Sequence, residues 1–150
     1  MPHLDDVSGR KVSQQQWHIT LAFLGHINDD IVSCIQHQAD KVTGQAFELT
    51  LDTLGHWSRP KVVWLGCASV PEAMRALVNS LNTELQGCGY EPEYQDFKAH
   101  MTLMRKVTRR PRIFEFNPIH WAVNQFVLIE SQINHQGSTY QVIRQWDLSV

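Results

Sequence analysis

Apolar positions along this chain follow two different periods, one typical of strands and one typical of helices. The run over 17–24 (WHITLAFL) is rich in apolar and β-branched residues and stops at Gly25, which favours a strand. Over 31–42 and 71–85, apolar residues instead recur every three or four positions, which favours helices. The whole pattern predicts helices over 31–42 and 71–85 and strands over 17–24, 46–54, 61–67, 97–104, 123–133 and 139–148.

The order of these elements predicts the fold class. It runs strand, helix, two strands, helix, three strands, which is typical of an α+β domain with a largely antiparallel sheet. Polar stretches over 1–16 and 105–118 are predicted to be loops, and 134–138 is predicted to be a hairpin turn. A chain of 150 residues has the length of one domain.

The overall charge gives no sign of a nucleic-acid or membrane binder. The chain has 13 Lys and Arg against 15 Asp and Glu, so the net charge is -2 and any anion site must be local. The longest uncharged apolar stretch, 62–70, is far shorter than the roughly 20 residues of a membrane span. The start lacks a basic and apolar leader, and we therefore expect a cytoplasmic protein without membrane contact.

The cysteines are odd in number and show no C-x-x-C spacing. In a reducing cytoplasm this pattern predicts free thiols and argues against a cysteine-based zinc site. The three residues are Cys34, Cys67 and Cys88.

A short motif, His-x-Thr-Leu, occurs twice and both times inside a predicted strand. His18 and Thr20 belong to the first copy, and His100 and Thr102 belong to the second. Residues i and i+2 of a strand project from the same face, so each copy presents an imidazole beside a hydroxyl. In-line cleavage of a phosphodiester requires a base, an acid and donors to the phosphoryl oxygens. The pair predicts this chemistry, with the two histidines sharing one proton.

Two other interpretations of the repeated motif remain open. A histidine in a strand is more often a structural or half-exposed residue than a catalyst. Two histidines also bind zinc in many proteins, but no third ligand stands at a recognisable spacing and there is no H-E-x-x-H. We therefore expect no metal and no other cofactor.

A basic stretch follows the second motif and agrees with a phosphate ligand. Between Lys98 and Arg112, six cationic residues occur with no acidic residue among them. Most of such a stretch is expected to be a solvated loop, but Arg105 comes directly after the motif and is a candidate phosphate clamp. Strict alternation places Arg105 on the face opposite His100, so it reaches the site only if the strand ends or bulges near Met104.

Four segments carry a resemblance to a known family. They are WHITLAFLG at 17–25, RPKVVWLG at 59–66, FKAHMTLMR at 97–105 and YQVIRQWDL at 140–148. Their order and spacing resemble the two-histidine phosphoesterase superfamily and, within it, the bacterial and archaeal RNA 2',3'-cyclic phosphodiesterases, also called 2'-5' RNA ligases.

The resemblance implies roles for the five candidate residues. His18 would be the proton donor and His100 the proton acceptor, while Thr20, Thr102 and Arg105 would bind the phosphate. The implied reaction opens a terminal RNA 2',3'-cyclic phosphate to a 2'-phosphate without a metal, and some members also join RNA ends through a 2'-5' linkage. The implied fold is a single two-lobed α+β domain over 1–150, with helices outside and a cleft between pseudo-symmetric halves that each supply one motif.

The resemblance also implies a strand and a helix before the first motif, and this chain starts after them. An uncovered sheet edge would follow, which predicts pairing in a homodimer through this edge and the helix face at Ile31, Ile35, Ala39 and Val42. Alternatively, residues 1–16 cover the gap. The expected partners are RNA ends or small cyclic nucleotides. Two further functions stay open, a phosphodiesterase for another small cyclic phosphate and an inactive RNA-end-binding module.

Overall fold

The computed structural model describes residues 1–92, 96–112, 115–135 and 137–150. Parts of the predicted loop 105–118 and of the predicted turn 134–138 therefore lie outside the described residues. The helices are α1 (Asp29–Ala39) and α2 (Glu72–Leu85), with short 3-10 helices at Gln14–Gln16 and Gln86–Cys88. The strands are β1 (Arg10–Lys11), β2 (Phe47–Leu51), β3 (Thr53–Trp57), β4 (Val62–Gly66), β5 (His100–Arg105), β6 (Ile119–Val123), β7 (Gln125–Asn134) and β8 (Gly137–Asp147).

The strands form three sheets in the described part of the chain. A four-stranded sheet has the order β1-β5-β4-β3, and two-stranded sheets pair β2 with β6 and β7 with β8. The β1–β5, β3–β4, β4–β5 and β7–β8 pairs are all antiparallel. The predicted α+β class with mostly antiparallel sheets is confirmed.

The chain divides into two compact units. The first comprises 1–20, 48–70 and 98–121, and the second comprises 21–47, 71–97 and 122–150. The four-stranded sheet belongs to the first unit, where Val63 and Leu65 are fully buried. Both histidine motifs also belong to the first unit, so the implied arrangement of one motif from each half does not match this division.

Both predicted helices form, with the expected faces buried in the second unit. Asn28 caps α1 through its side-chain oxygen, which accepts a hydrogen bond from the Ile31 amide at 2.9 Å. Aspartates in the first turn of α1 complement the helix dipole. The buried residues of α2 are those that the periodicity selected, namely Met74, Leu77, Val78, Leu81 and Leu85.

The helix face proposed as a dimer contact is buried within the chain itself. Ile35, Ala39 and Val42 are only 3%, 2% and 9% exposed, and Ile31 packs against the same core. This face is not available to a second copy, so the expectation that it forms a dimer contact is wrong. Pairing in a homodimer stays a prediction. Residues 1–16 are also more than a loop, because they contribute β1, which pairs along the outer side of β5.

The strand predicted over 17–24 is wrong, because this segment pairs with β5 only through an isolated bridge between Ile19 and Met101. An apolar run forms a strand only where an adjacent strand has N–H and C=O groups left to pair with. Here β1 already pairs with part of this edge of β5. Two further differences concern strands. The strand β6 was not predicted and begins directly after the predicted loop 105–118, and the predicted strand 46–54 is divided into β2 and β3 at Asp52.

The cysteine prediction is wrong for two of the three residues. Cys34 of α1 and Cys88 form a disulfide that links α1 to the segment after α2, with their Cα atoms 5.8 Å apart. Cys67 is not part of a disulfide and keeps its thiol, as predicted.

Within the described ranges, neither helix is long and apolar enough to cross a membrane.

Candidate active site

The second motif lies in the middle of the four-stranded sheet. In the antiparallel β4–β5 pair, His100 is opposite Gly66 and Thr102 is opposite Trp64. Both motif side chains are half-buried, whereas Met101 between them is buried. The alternation of the strand thus turns the imidazole and the hydroxyl away from the core and onto one face, as the sequence predicts.

The first motif is aligned with the second through the Ile19–Met101 bridge. This bridge is antiparallel, so His18 lies on the Thr102 side of it and Thr20 lies on the His100 side. His18 and Thr20 are half-buried, like their counterparts. The register therefore places His18 beside Thr102 and Thr20 beside His100, although the first motif is not part of a regular strand.

Both imidazoles are held in the same way. Nδ1 of His18 lies 2.7 Å from the Gln16 carbonyl oxygen, and Nδ1 of His100 lies 2.8 Å from the Lys98 carbonyl oxygen. A carbonyl only accepts, so each Nδ1 must carry the proton and donate. In a neutral imidazole with its proton on Nδ1, Nε2 is then the ring nitrogen that carries the lone pair.

A bulge in β5 meets the condition that was set for Arg105 to reach the face of the motif. Trp64 lies opposite Thr102, but the preceding residue of β4 lies opposite Met104, so β5 holds one extra residue here. Both residues between Thr102 and Arg105 are buried, which shows that alternation is interrupted. Beyond the bulge, Arg105 returns to the face of Thr102. The condition that the sequence set for Arg105 to reach the site is confirmed.

The structure adds Arg10, which the sequence analysis did not select. In the β1–β5 pair Arg10 lies directly opposite Arg105, and both side chains are exposed. Gly9 permits this approach, because a Cβ there would lie 2.8 Å from the Arg105 carbonyl oxygen. Neither guanidinium has an ion pair with a described residue, whereas the neighbouring Lys11 is paired with Asp5. Two like charges across a ladder are unfavourable, which makes this pair a suitable place for an anion.

Two indole side chains lie beside the second histidine, and the sequence analysis did not select them. The rings of Trp57 and His100 have centroids 4.6 Å apart, and those of Trp64 and His100 lie 6.4 Å apart. The two indoles contact each other at 5.0 Å. Only the cross-strand register brings these residues together, and the one sequence signal for it is the spacing of Trp57 and Trp64 around a hairpin.

The remaining cations of the basic stretch are exposed side chains, in agreement with a solvated loop. Among the residues that the structure describes, no group of three or more His, Cys, Asp or Glu side chains is placed to hold a metal ion.

Comparison with known proteins identifies the family. Residues 6–134, which include both motifs, match the sequence model of the 2'-5' RNA ligase superfamily. The chain belongs to this superfamily. It is 31% identical to the RNA 2',3'-cyclic phosphodiesterase of Escherichia coli, over 98% of this chain and 84% of that protein. It is 30% identical to the protein of the same name from Archaeoglobus fulgidus, over 96% of this chain and 87% of that protein.

Solved structures of similar proteins share the fold. A phosphoesterase crystal structure matches with a TM-score of 0.85 and 30% identity, covering 95% of this chain and 82% of that chain. Escherichia coli LigT complexed with 3'-AMP matches with a TM-score of 0.83 and 29% identity, over 95% of this chain and 82% of that chain. The family resemblance that the two motifs indicated is confirmed.

Proposed function

We propose that this chain hydrolyses terminal RNA 2',3'-cyclic phosphates to 2'-phosphates without a metal ion. The observation that carries the proposal is the Ile19–Met101 bridge, which aligns two His-x-Thr motifs whose imidazoles donate from Nδ1 in the same way. The names of the relatives support the substrate class.

In the proposed mechanism, Nε2 of His100 accepts a proton from water as the water oxygen attacks phosphorus. The bond from phosphorus to the 3'-oxygen breaks, and Nε2 of His18 donates a proton to that oxygen. The products are a 2'-phosphate and a 3'-hydroxyl. A 5'-hydroxyl of another RNA end in place of water would give a 2'-5' linkage by the same proton transfers. The assignment of donor and acceptor follows the family resemblance.

The hydroxyls and guanidiniums stabilise phosphoryl charge in this mechanism. Thr20 and Thr102 donate hydrogen bonds to the non-bridging oxygens, which gain charge as the new bond forms. Arg105 reaches the same face because of the bulge, and Arg10 lies opposite it in the ladder. Two guanidiniums would hold the phosphate more strongly than either alone, because each forms charge-assisted hydrogen bonds.

The proposal is tested with an RNA oligonucleotide that ends in a 2',3'-cyclic phosphate. The chain should add one water and yield a 2'-phosphate, detected by mass spectrometry and ³¹P NMR, with full activity in EDTA. The pH profile of kcat/KM should be bell-shaped, because one histidine must be protonated and the other neutral. Loss of activity in EDTA that zinc restores would overturn the metal-free mechanism, and RNA binding without turnover would favour the inactive binding module.

A second substrate class has support from similar structures. Escherichia coli LigT has been crystallised with 3'-AMP, with ATP and with NADP+. These complexes favour small nucleotides as further ligands, including a small cyclic phosphate such as an ADP-ribose cyclic phosphate. Comparing kcat/KM for this compound with that for the RNA end decides between them.

A further inference from the structure

The ring of His100 is in contact with two indoles, and this contact has a specific geometry. The planes of Trp57 and His100 meet at 70°, and so do those of Trp64 and His100. Centroid distances of 4.6 and 6.4 Å lie within the range of about 4.5–7 Å at which edge-to-face pairs are favourable. The Nδ1 hydrogen bond fixes one edge of the imidazole, and the indoles restrict the rotation that this single bond leaves.

Two glycines make room for the indole of Trp64. A Cβ at Gly55 would lie 2.1 Å from Cζ2 of Trp64, and a Cβ at Gly66 would lie 2.8 Å from Cζ3. Gly55 is opposite Trp64 across the β3–β4 pair, and Gly66 is opposite His100 across the β4–β5 pair. Glycine weakens a strand interior and often marks the close approach of another group. Here that group is the indole, which lies over the sheet towards His100.

The position of Trp64 also has a cost, since its Nε1 is buried without a hydrogen-bond partner among the described residues. A buried donor that lacks an acceptor is unfavourable. The ring contacts with Trp57 and His100 and the space over the glycines therefore determine where this indole lies.

We propose that Trp57 and Trp64 are positioning residues that hold the imidazole of His100 in the orientation required for proton transfer. This inference rests on the proposed function for its kinetic part, but its structural part concerns the free protein alone. The indoles act through His100, and in this proposal neither touches the substrate.

The kinetic test compares Trp57→Leu, which keeps an apolar side chain, with Trp57→Phe, which keeps a ring. Misplacing a catalytic group by about 1 Å costs up to about 100-fold in rate, so we expect Trp57→Leu to lower kcat by about 10- to 100-fold with KM unchanged. Trp57→Phe should recover most of the loss. Trp121→Leu is the matched control, since Trp121 is 37% exposed and has no ring contact with His100. It should keep wild-type kcat.

The substrate pair separates positioning from base stacking. Adenosine 2',3'-cyclic phosphate has a base that an indole could stack on, while ribose 2',3'-cyclic phosphate lacks one. Positioning predicts an equal loss of kcat for both in Trp57→Leu. A rise in KM confined to the adenosine compound would overturn the proposal and assign Trp57 to base binding. Wild-type kcat in Trp57→Leu would also overturn it.

A spectroscopic test does not depend on turnover. In protein labelled with ¹⁵N-histidine, the ring-proton signals of His100, assigned with His100→Ala, should move in Trp57→Leu because the indole ring current is lost. Gly55→Ala should move them as well, since its new Cβ displaces Trp64. Unchanged signals in both variants would overturn the positioning role. Absence of turnover in the wild type would instead overturn the proposed function and leave this measurement intact.

Discussion

The two histidine motifs have the same sequence pattern but are held in different ways. His100 and Thr102 lie in β5, and both are paired with β4, while β1 pairs with β5 only beyond the motif. His18 and Thr20 flank a single bridging residue, Ile19. The Nδ1 hydrogen bonds are nonetheless alike in both motifs. One bridge and one local carbonyl thus fix the position of the first motif, whereas a full ladder fixes the position of the second.

The segment before the first motif explains how one bridge is sufficient. Residues 10–19 run antiparallel along β5, with Arg10 opposite Arg105 and Ile19 opposite Met101. Between these contacts the chain makes a 3-10 turn, which the Trp17 indole closes by donating to the Val12 carbonyl at 3.1 Å. The first motif is therefore fixed by contacts at both ends of a short segment, rather than by its own ladder.

Removing either imidazole should have the largest effect of any change in the site. We expect His18→Ala and His100→Ala each to lower kcat by about 10²- to 10⁴-fold, the usual contribution of a positioned acid or base. The double variant should be little worse than either single one, because the two act as a unit. Single-turnover assays measure this. Full activity in His18→Ala alone would mean that only the motif in the ladder is catalytic.

Removing a hydroxyl should cost less and should affect the two motifs equally. Thr20→Val and Thr102→Val keep the β-branched shape, so the backbone should be unaffected. Loss of one preorganised donor costs about 3 kcal/mol of transition-state binding, roughly 100-fold in kcat/KM. The pH profile should keep both limbs, because neither hydroxyl moves the catalytic proton. A profile that lost one limb would contradict the assignment.

The guanidiniums opposite each other in the β1–β5 pair should contribute less again. Arg105→Gln is expected to lower kcat/KM by roughly 10- to 100-fold, the value of one hydrogen bond from a charged group. Arg10→Gln should lower it by about 10-fold at most. Arg110→Gln, in the same basic stretch but exposed in the loop, is the control. Equal effects of all three variants would indicate a general charge effect rather than a site at the β1–β5 edge.

Local patterns predicted much of this fold and site. The helix faces followed from their periodicity because each face packs within its own unit, as Leu77 and Leu81 show. The strand of the second motif followed from its run of apolar residues. Arg105 was predicted conditionally, and the bulge that meets the condition appears only in the β4–β5 register.

What sequence reasoning missed depends on pairing between distant strands. Nothing in the polar segment around Arg10 marks a strand, because β1 has two residues and its stability comes from its place beside β5. The indoles beside His100 depend on Gly55 and Gly66, whose role is visible only once Trp64 is placed over them. The strand predicted over 17–24 failed for the converse reason, since its apolar run has only one bridge to pair with.

The smallest expected difference is one of stability between the two motifs, and hydrogen exchange measures it. Amides of the second motif belong to the β4–β5 ladder, so they should open only with larger parts of the first unit. Amides over 18–21 depend on one bridge and should open locally, with exchange faster by about 10-fold or more. Gly9→Ala should increase this difference in exchange rate. Its Cβ would clash with the Arg105 carbonyl and loosen β1, which anchors the segment that leads to the first motif. Equal protection of both motifs would mean that the first is held as firmly as the second, through contacts other than the bridge.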